Sequence, residues 1–247
     1  MKSICMGFAV AMAVATGATA AQAQKVSPAI TIALADPARA DQQGDDFRRK
    51  AADVLAFSGV RPGNVVIDYL PGEGYWTRIF TGIVGAKGHV YAVWPAAGAK
   101  YAEKTLPALQ ARNLANVTAV VQPTNLPTSP KPVDLFWTVQ NYHDIANNGG
   151  GERALKAFDK AVFNMLKRGG IYVVIDHADA PGSGMAGTET RHRIDPAAVK
   201  AQVQAAGFKF VGESTVLRNP SDDHTKPVFD PAIRGKTDQF VYKFKKP

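Results

Sequence analysis

Two groups of residues in this 247-residue chain have types and spacing suited to chemistry. The first is a set of imidazoles with carboxylates beside them. There are five histidines, and three stand directly next to an aspartate, as His143-Asp144, Asp176-His177 and Asp223-His224. An imidazole titrates near neutrality, so it can take or give a proton, and its neutral form ligates metals. His192 lies between Arg191 and Arg193, and His224 ends the polar run 218–224. There is no H-x-x-x-H or H-E-x-x-H spacing. A metal site would need three or more ligands converging from separate loops, so none is expected. The second group is the turn Asp68-Tyr69-Leu70-Pro71-Gly72-Glu73-Gly74. Bare backbone at the entry to a helix lets a ligand approach the amide N–H groups. Thr77 stands where a dinucleotide fingerprint has its third glycine, which argues against NAD or FAD.

The elements that must hold these residues follow a regular alternation. Residues 64–70 form an apolar run, then comes a helical stripe of Trp76, Ile79, Phe80 and Ile83 ending at Gly85. Further strands are expected at 89–94, 117–121, 133–139 and 171–175. The helices between them lie near 100–111, weakened by Pro107, and from Gly151 to a stop at Gly169-Gly170. Asp195-Pro196 opens another helix, and strands at 208–217 and 239–244 close the chain. Upstream, Asp45-Asp46 is expected to cap a helix whose stripe is Phe47, Ala51, Val54, Leu55 and Phe57. Residues 24–44 read as a lead-in packing across a single domain spanning 45–247.

Five strand–helix alternations and a final strand pair imply an open, mostly parallel α/β sheet with helices on both faces. Ligands of such sheets bind beyond the carboxyl ends of the strands. His143, His177, His192 and His224 map to that edge, and His89 to the opposite one. Trp76, Trp94 and Trp137 also map near the ligand edge, either as ordinary packing or as the lining of a cleft.

The turn after the first strand, the five strand–helix units, Leu166-Lys167-Arg168-Gly169-Gly170 and the closing hairpin resemble the class I S-adenosylmethionine (SAM)-dependent methyltransferases. Segments 68–78, 141–144, 192–196 and 228–244 resemble the signal-peptide-bearing group of predicted methyltransferases within it. The likeness covers about residues 36–247. It implies a Rossmann-like fold with sheet order 3-2-1-4-5-7-6 and an antiparallel seventh strand. It also implies methyl transfer from SAM to a small-molecule acceptor. Asp68, Gly72 and Gly74 match the donor loop, with Leu70 in place of its first glycine. The acid that usually follows the second strand is absent at Val93-Trp94-Pro95, as is the adenine-side Asp at Val121-Gln122-Pro123. A lost hydrogen-bond partner costs about 0.5–1.5 kcal/mol, or about 1.5–3 when charged. Two losses weaken binding roughly 10²–10³-fold. Trp94 can instead stack on an adenine. On the acceptor side His143 would take a proton with Asp144 orienting it, and Tyr142, His177 and His192 would contact the acceptor. The alternative is a non-catalytic binding protein on the same fold.

The N-terminus gives a destination. Lys2, the apolar run 4–15 and Ala21-Gln22-Ala23 form a secretory signal over 1–23, so a periplasmic or secreted protein is expected. Cys5, the sole cysteine, leaves with it. The net charge of +8 is not gathered into a patch, so nucleic acid is not an expected partner. No later run approaches the roughly 18 apolar residues of a membrane span.

Overall fold

The computed structural model describes residues 25–247; the expected signal segment lies outside them. The strands are β1 (Val65–Tyr69), β2 (His89–Trp94), β3 (Val117–Val121), β4 (Val133–Val139), β5 (Leu166–His177), β6 (Lys209–Ser214) and β7 (Gln239–Lys245). They form one seven-stranded sheet in the order β3-β2-β1-β4-β5-β7-β6. The first five pair in parallel, β7 runs antiparallel to β5, and β6 antiparallel to β7. This is the Rossmann-like order that the resemblance implied. The helices are α1 (Pro28–Leu34), α2 (Ala51–Ser58), α3 (Tyr75–Val84), α4 (Thr105–Ala111), α5 (Tyr142–Ile145), α6 (Gly151–Met165) and α7 (Pro196–Ala205). No described helix is long and apolar enough to cross a membrane.

Side chains alternate across each strand, so both faces of the sheet are apolar. Ile67, Tyr69, Phe136, Tyr172 and Val174 face Leu155, Phe158 and Val162 of α6 and Val199 and Val203 of α7. Val66, Leu135, Trp137, Val173 and Ile175 face Ile30 of α1, Val54 and Leu55 of α2, and Ile79, Phe80 and Ile83 of α3. Each fully buried side chain of this size contributes about 1.5–3 kcal/mol. The two layers therefore fix the central strands β1, β4 and β5 and with them their carboxyl ends.

Local structure adds to or departs from the sequence reading in several places. Residues 24–44, expected as a lead-in packing across the domain, contain α1, capped by the Ser27 hydroxyl. It packs against α3 so closely that a Cβ on Gly82 would lie 3.0 Å from Ala33. The helix expected from Asp45-Asp46 begins only at Ala51, after Lys50 in the left-handed region (φ 48°). Asp46 is engaged elsewhere: it accepts from buried Arg39 at 2.7 Å and from the Tyr75 hydroxyl at 2.6 Å. Phe47, the first residue of the supposed stripe, is 82% exposed. Finally, Gly169-Gly170 do not close α6, which ends at Met165. They lie within β5, where Gly169 N–H donates to Lys246 O at 2.8 Å. Pro107 is tolerated because it falls in the first turn of α4, where no intrahelical N–H bond is lost.

Candidate functional site

At the end of β1 the chain turns through three left-handed residues: Leu70 (φ 52°), Gly72 (φ 56°) and Gly74 (φ 74°). Gly74 caps α3 and permits close approach, since a Cβ there would lie 3.4 Å from Leu109 and Thr105 of α4. A Cβ at exposed Gly72 would meet nothing within 4 Å, so open space lies above this turn. Leu70 takes up a glycine conformation at a cost of about 1–2 kcal/mol. Its side chain reaches the loop after β2, where a Cβ on Gly98 would lie 2.8 Å from Leu70 Cδ2. Asp68 is buried and accepts from the Thr77 hydroxyl at 2.7 Å. Burial outweighs that bond and pushes its carboxyl up to about 7.

Beyond β2 and β3 the structure is closed by its own contacts. Trp94 is fully buried among Ala92, Ala102, Leu109 and Ala119, and its indole N–H has no partner. The ring expected to face a ligand therefore presents no exposed face. Gln122, at the position of the adenine-side Asp, bonds the Thr128 backbone in both directions at 2.7 and 3.0 Å. The Ala97 N–H donates to Asn125 Oδ1 at 2.9 Å, which ties the two loops together. The other tryptophans also lie in the core, Trp76 edge-on to Trp137 at 5.1 Å.

The ends of β4 and β5 are built from ionisable groups. Asp176, on β5 and wholly buried, accepts from three donors. These are the His143 N–H (2.8 Å), the His177 N–H (2.7 Å) and His143 Nδ1 (2.8 Å). Nε2 of His143 then faces Asp144 Oδ1 and His192 Nδ1, each at 3.3 Å. Burial opposes a charge on His143, but Asp176 and Asp144 outweigh it and raise its pKa to about 10. Burial, helped by His143 and Arg193, instead pulls His177 down to about 4 despite Asp176. His177 Nδ1 lies 2.7 Å from the Thr237 hydroxyl.

His192 reaches this cluster from the segment before α7. It too is left-handed (φ 55°), and its ring stands edge-on to Phe229 at 4.9 Å. Its two neighbours anchor it. Arg191 pairs with Asp179 at 2.7 Å, and buried Arg193 pairs with Asp222 at 2.9 Å, so neither arginine is free for an acidic ligand. Asp195 caps α7 by accepting from Ala197 N–H at 2.8 Å. Tyr142 points away from the cluster into the core, where its hydroxyl donates to Asp159 Oδ2 at 2.8 Å. His224 joins a separate network through Asp238 at 3.1 Å. The structure thus gathers His143, Asp144 and His192, places His177 beside them, and removes Tyr142 and Trp94.

Asn141 was not singled out in the sequence. Its Nδ2 donates to Leu70 O at 3.1 Å and Val139 O at 2.7 Å, and it lies 3.4 Å from Tyr69 O. It clamps the turn after β1 to the end of β4. Its only signal was its place beside Tyr142-His143. A polar depression of about 280 Å³ lies at the other end of the strands, among Val60, Asn64, Asp134 and Lys167. It contains no histidine and lies at the amino ends of the strands, opposite the edge where ligands of such sheets bind.

No protein-family model and no curated protein matches the sequence. Solved structures do. A SAM-dependent methyltransferase from Aquifex aeolicus matches with a TM-score of 0.58 at 19% identity, covering 90% of this chain and all of its own. A putative sarcosine dimethylglycine methyltransferase from Galdieria sulphuraria gives 0.57 at 13% identity, covering 85% and 87%. The 4+2 cyclase SpnF gives 0.58 at 15%, covering 83% and 82%. One architecture thus appears under two kinds of reaction name, and fold does not fix the reaction. The chain has the seven-stranded Rossmann-like fold of these methyltransferase structures.

Proposed function

We propose that this protein is an exported SAM-dependent methyltransferase acting on a small-molecule acceptor. The observation that carries the reading is the turn after β1. It has three left-handed residues, leads directly into α3, leaves open space above Gly72, and stands at a central strand of a sheet in the methyltransferase order. Gly72 and Gly74 would admit the methionine end of the donor, and Asp68 would brace the turn through Thr77. The donor supplies a methyl group on a positively charged sulfur. The protein's part is to hold the acceptor in line with it, which is chiefly proximity and orientation. The acceptor would lie against the partly exposed Asp144 and His192, with His143 behind them fixed by Asp176. The nucleoside end fits less well, because Leu70 spans to Gly98 and Trp94 fills the space beneath α4. That observation favours the second reading, a binding protein on the same fold.

Titration calorimetry with S-adenosylhomocysteine separates the two. The first reading expects saturable binding that disappears in Gly72→Val with circular dichroism unchanged. Absence of binding at millimolar ligand would leave the second. Export is supported by the pattern of residues 1–23 alone. It expects a mature N-terminus at Gln24, and exported protein still beginning at Met1 would remove that part.

A further inference from the structure

We propose that His143 Nε2, Asp144 Oδ1 and His192 Nδ1 bind one divalent transition-metal ion of the zinc class. The ion is tetrahedral, with its fourth position left for water or an anionic oxygen ligand. These three atoms form a nearly equilateral triangle. Its edges are 3.3 Å (His143 to Asp144), 3.3 Å (His143 to His192) and 3.5 Å (His192 to Asp144). Tetrahedral zinc with bonds of about 2.0–2.1 Å has ligand-to-ligand edges of about 3.3–3.4 Å. An octahedral site with bonds of about 2.1 Å has adjacent edges of about 3.0 Å. The triangle fits the first.

Hydrogen bonding does not satisfy this arrangement as well. Two imidazole nitrogens and a carboxylate oxygen lie against one another, and if both rings donate to the carboxylate, two N–H groups are left facing each other across the third edge. A cation at the centre meets all three, and any proton on Nε2 leaves to solvent as the ion binds. Two histidines and a carboxylate are a common donor set of zinc sites that keep an open position.

The surroundings are those of a prepared site. Asp176 is buried, accepts from His143 Nδ1 at 2.8 Å, and is held in turn by two backbone N–H groups. It therefore fixes which ring nitrogen faces the triangle. This is the carboxylate–histidine–metal arrangement that orients ligands in metal sites. Asn147 Nδ2 donates to Asp144 Oδ1 at 3.0 Å and steadies the carboxylate. His192 holds a left-handed backbone that a residue with a Cβ rarely adopts, and this backbone aims its Nδ1 at His143. The Asp144 and His192 side chains are 43% and 32% exposed, so the fourth position opens outward. An ion there would put positive charge at the place otherwise held by the His143 imidazolium. The proposal stands on these contacts and does not depend on a methyl donor.

The test is equilibrium dialysis of the chelator-treated mature chain against zinc, with metal content measured by mass spectrometry. Cobalt substitution then reports geometry. The expected result is one zinc per chain and the intense visible absorption of tetrahedral cobalt. His192→Ala and Asp144→Ala, both at partly exposed positions, should lose it, while His89→Ala keeps it. Asp176→Asn should weaken binding about 10–100-fold. Circular dichroism checks each variant's fold, and the two ligand variants stand in for each other if one misfolds. No saturable uptake, weak octahedral cobalt absorption, or uptake undiminished in both ligand variants would overturn the proposal.

Discussion

The carboxyl edge of the sheet has two halves made in different ways. On the side of β1, β2 and β3, position is set by backbone conformation and apolar filling: Leu70 across Gly98, Trp94 beneath α4, and loops tied by Asn125. On the side of β4 and β5, it is set by charge: Asp176, His143, Asp144 and His192 in contact. The first half resists change through packing, where altered volume is costly. The second resists through pairing, where losing one partner strands another. A fold can therefore keep its architecture while one half of its carboxyl edge is filled by apolar side chains and the other is loaded with ionisable groups.

Replacing Trp94 by Asp breaks the packed half most severely. Removing a buried indole costs about 3–5 kcal/mol. The new carboxylate finds no partner among Ala92, Ala102, Leu109 and Ala119. Urea denaturation should show a drop of more than about 4 kcal/mol. A stable variant that bound S-adenosylhomocysteine more tightly would mean the ring borders an open donor pocket.

The paired half is broken by Asp176→Ala. It strands His143 and two backbone N–H groups, so stability should fall by about 3–5 kcal/mol. A fall below about 1 kcal/mol would make the cluster a surface feature in energetic terms.

Asp159 sharpens the contrast through pH. It accepts from the Tyr142 hydroxyl at 2.8 Å and the Tyr172 hydroxyl at 3.3 Å, yet burial outweighs both and raises it to about 7. Its folded pKa exceeds the unfolded value, so the native state holds an extra proton between about pH 4 and 7. Stability should therefore fall as pH rises through that window. Asp159→Asn should flatten the fall by on the order of 2 kcal/mol between pH 5 and 8. Parallel stability curves for the two proteins would assign the slope to other groups, of which buried Asp68, also raised to about 7, is the first to test.

The smallest expected effect is that of Leu70→Gly. Relief of the left-handed strain offsets lost packing, and stability should change by less than about 1 kcal/mol. Removing the side chain clears the gap toward Gly98, so S-adenosylhomocysteine binding should tighten several-fold. Unchanged affinity by calorimetry would show that Leu70 does not obstruct the donor.

The strands β1 to β4 were legible because each is a largely apolar run between turn residues, and α7 because Asp195-Pro196 is a local cap. Local signals failed where a distant partner decided. Asp46 resembles a helix cap, but Arg39 and Tyr75 claim it. Gly169-Gly170 resemble a helix stop, but Lys246 draws them into a strand. Four of the five histidines could be assigned to one edge from topology alone. That His143 and His192, 49 residues apart, would meet at 3.3 Å depended on a left-handed turn at a histidine, which sequence pattern does not reveal. Trp94 misled for the opposite reason: its position along the strand was clear, but whether α4 covered it was not.

Asn141 gives the two halves a thermodynamic connection. One side-chain amide bonds the carbonyl of Leu70 in the packed half and lies two residues from His143 in the charged half. A ligand that shifts the Leu70 carbonyl must strain or release that bond, and so must one that moves the start of α5. Whatever free energy one occupant spends on the clamp, the other finds already spent. Were both halves to bind ligands, their affinities would be linked, and the factor would be the same read from either side.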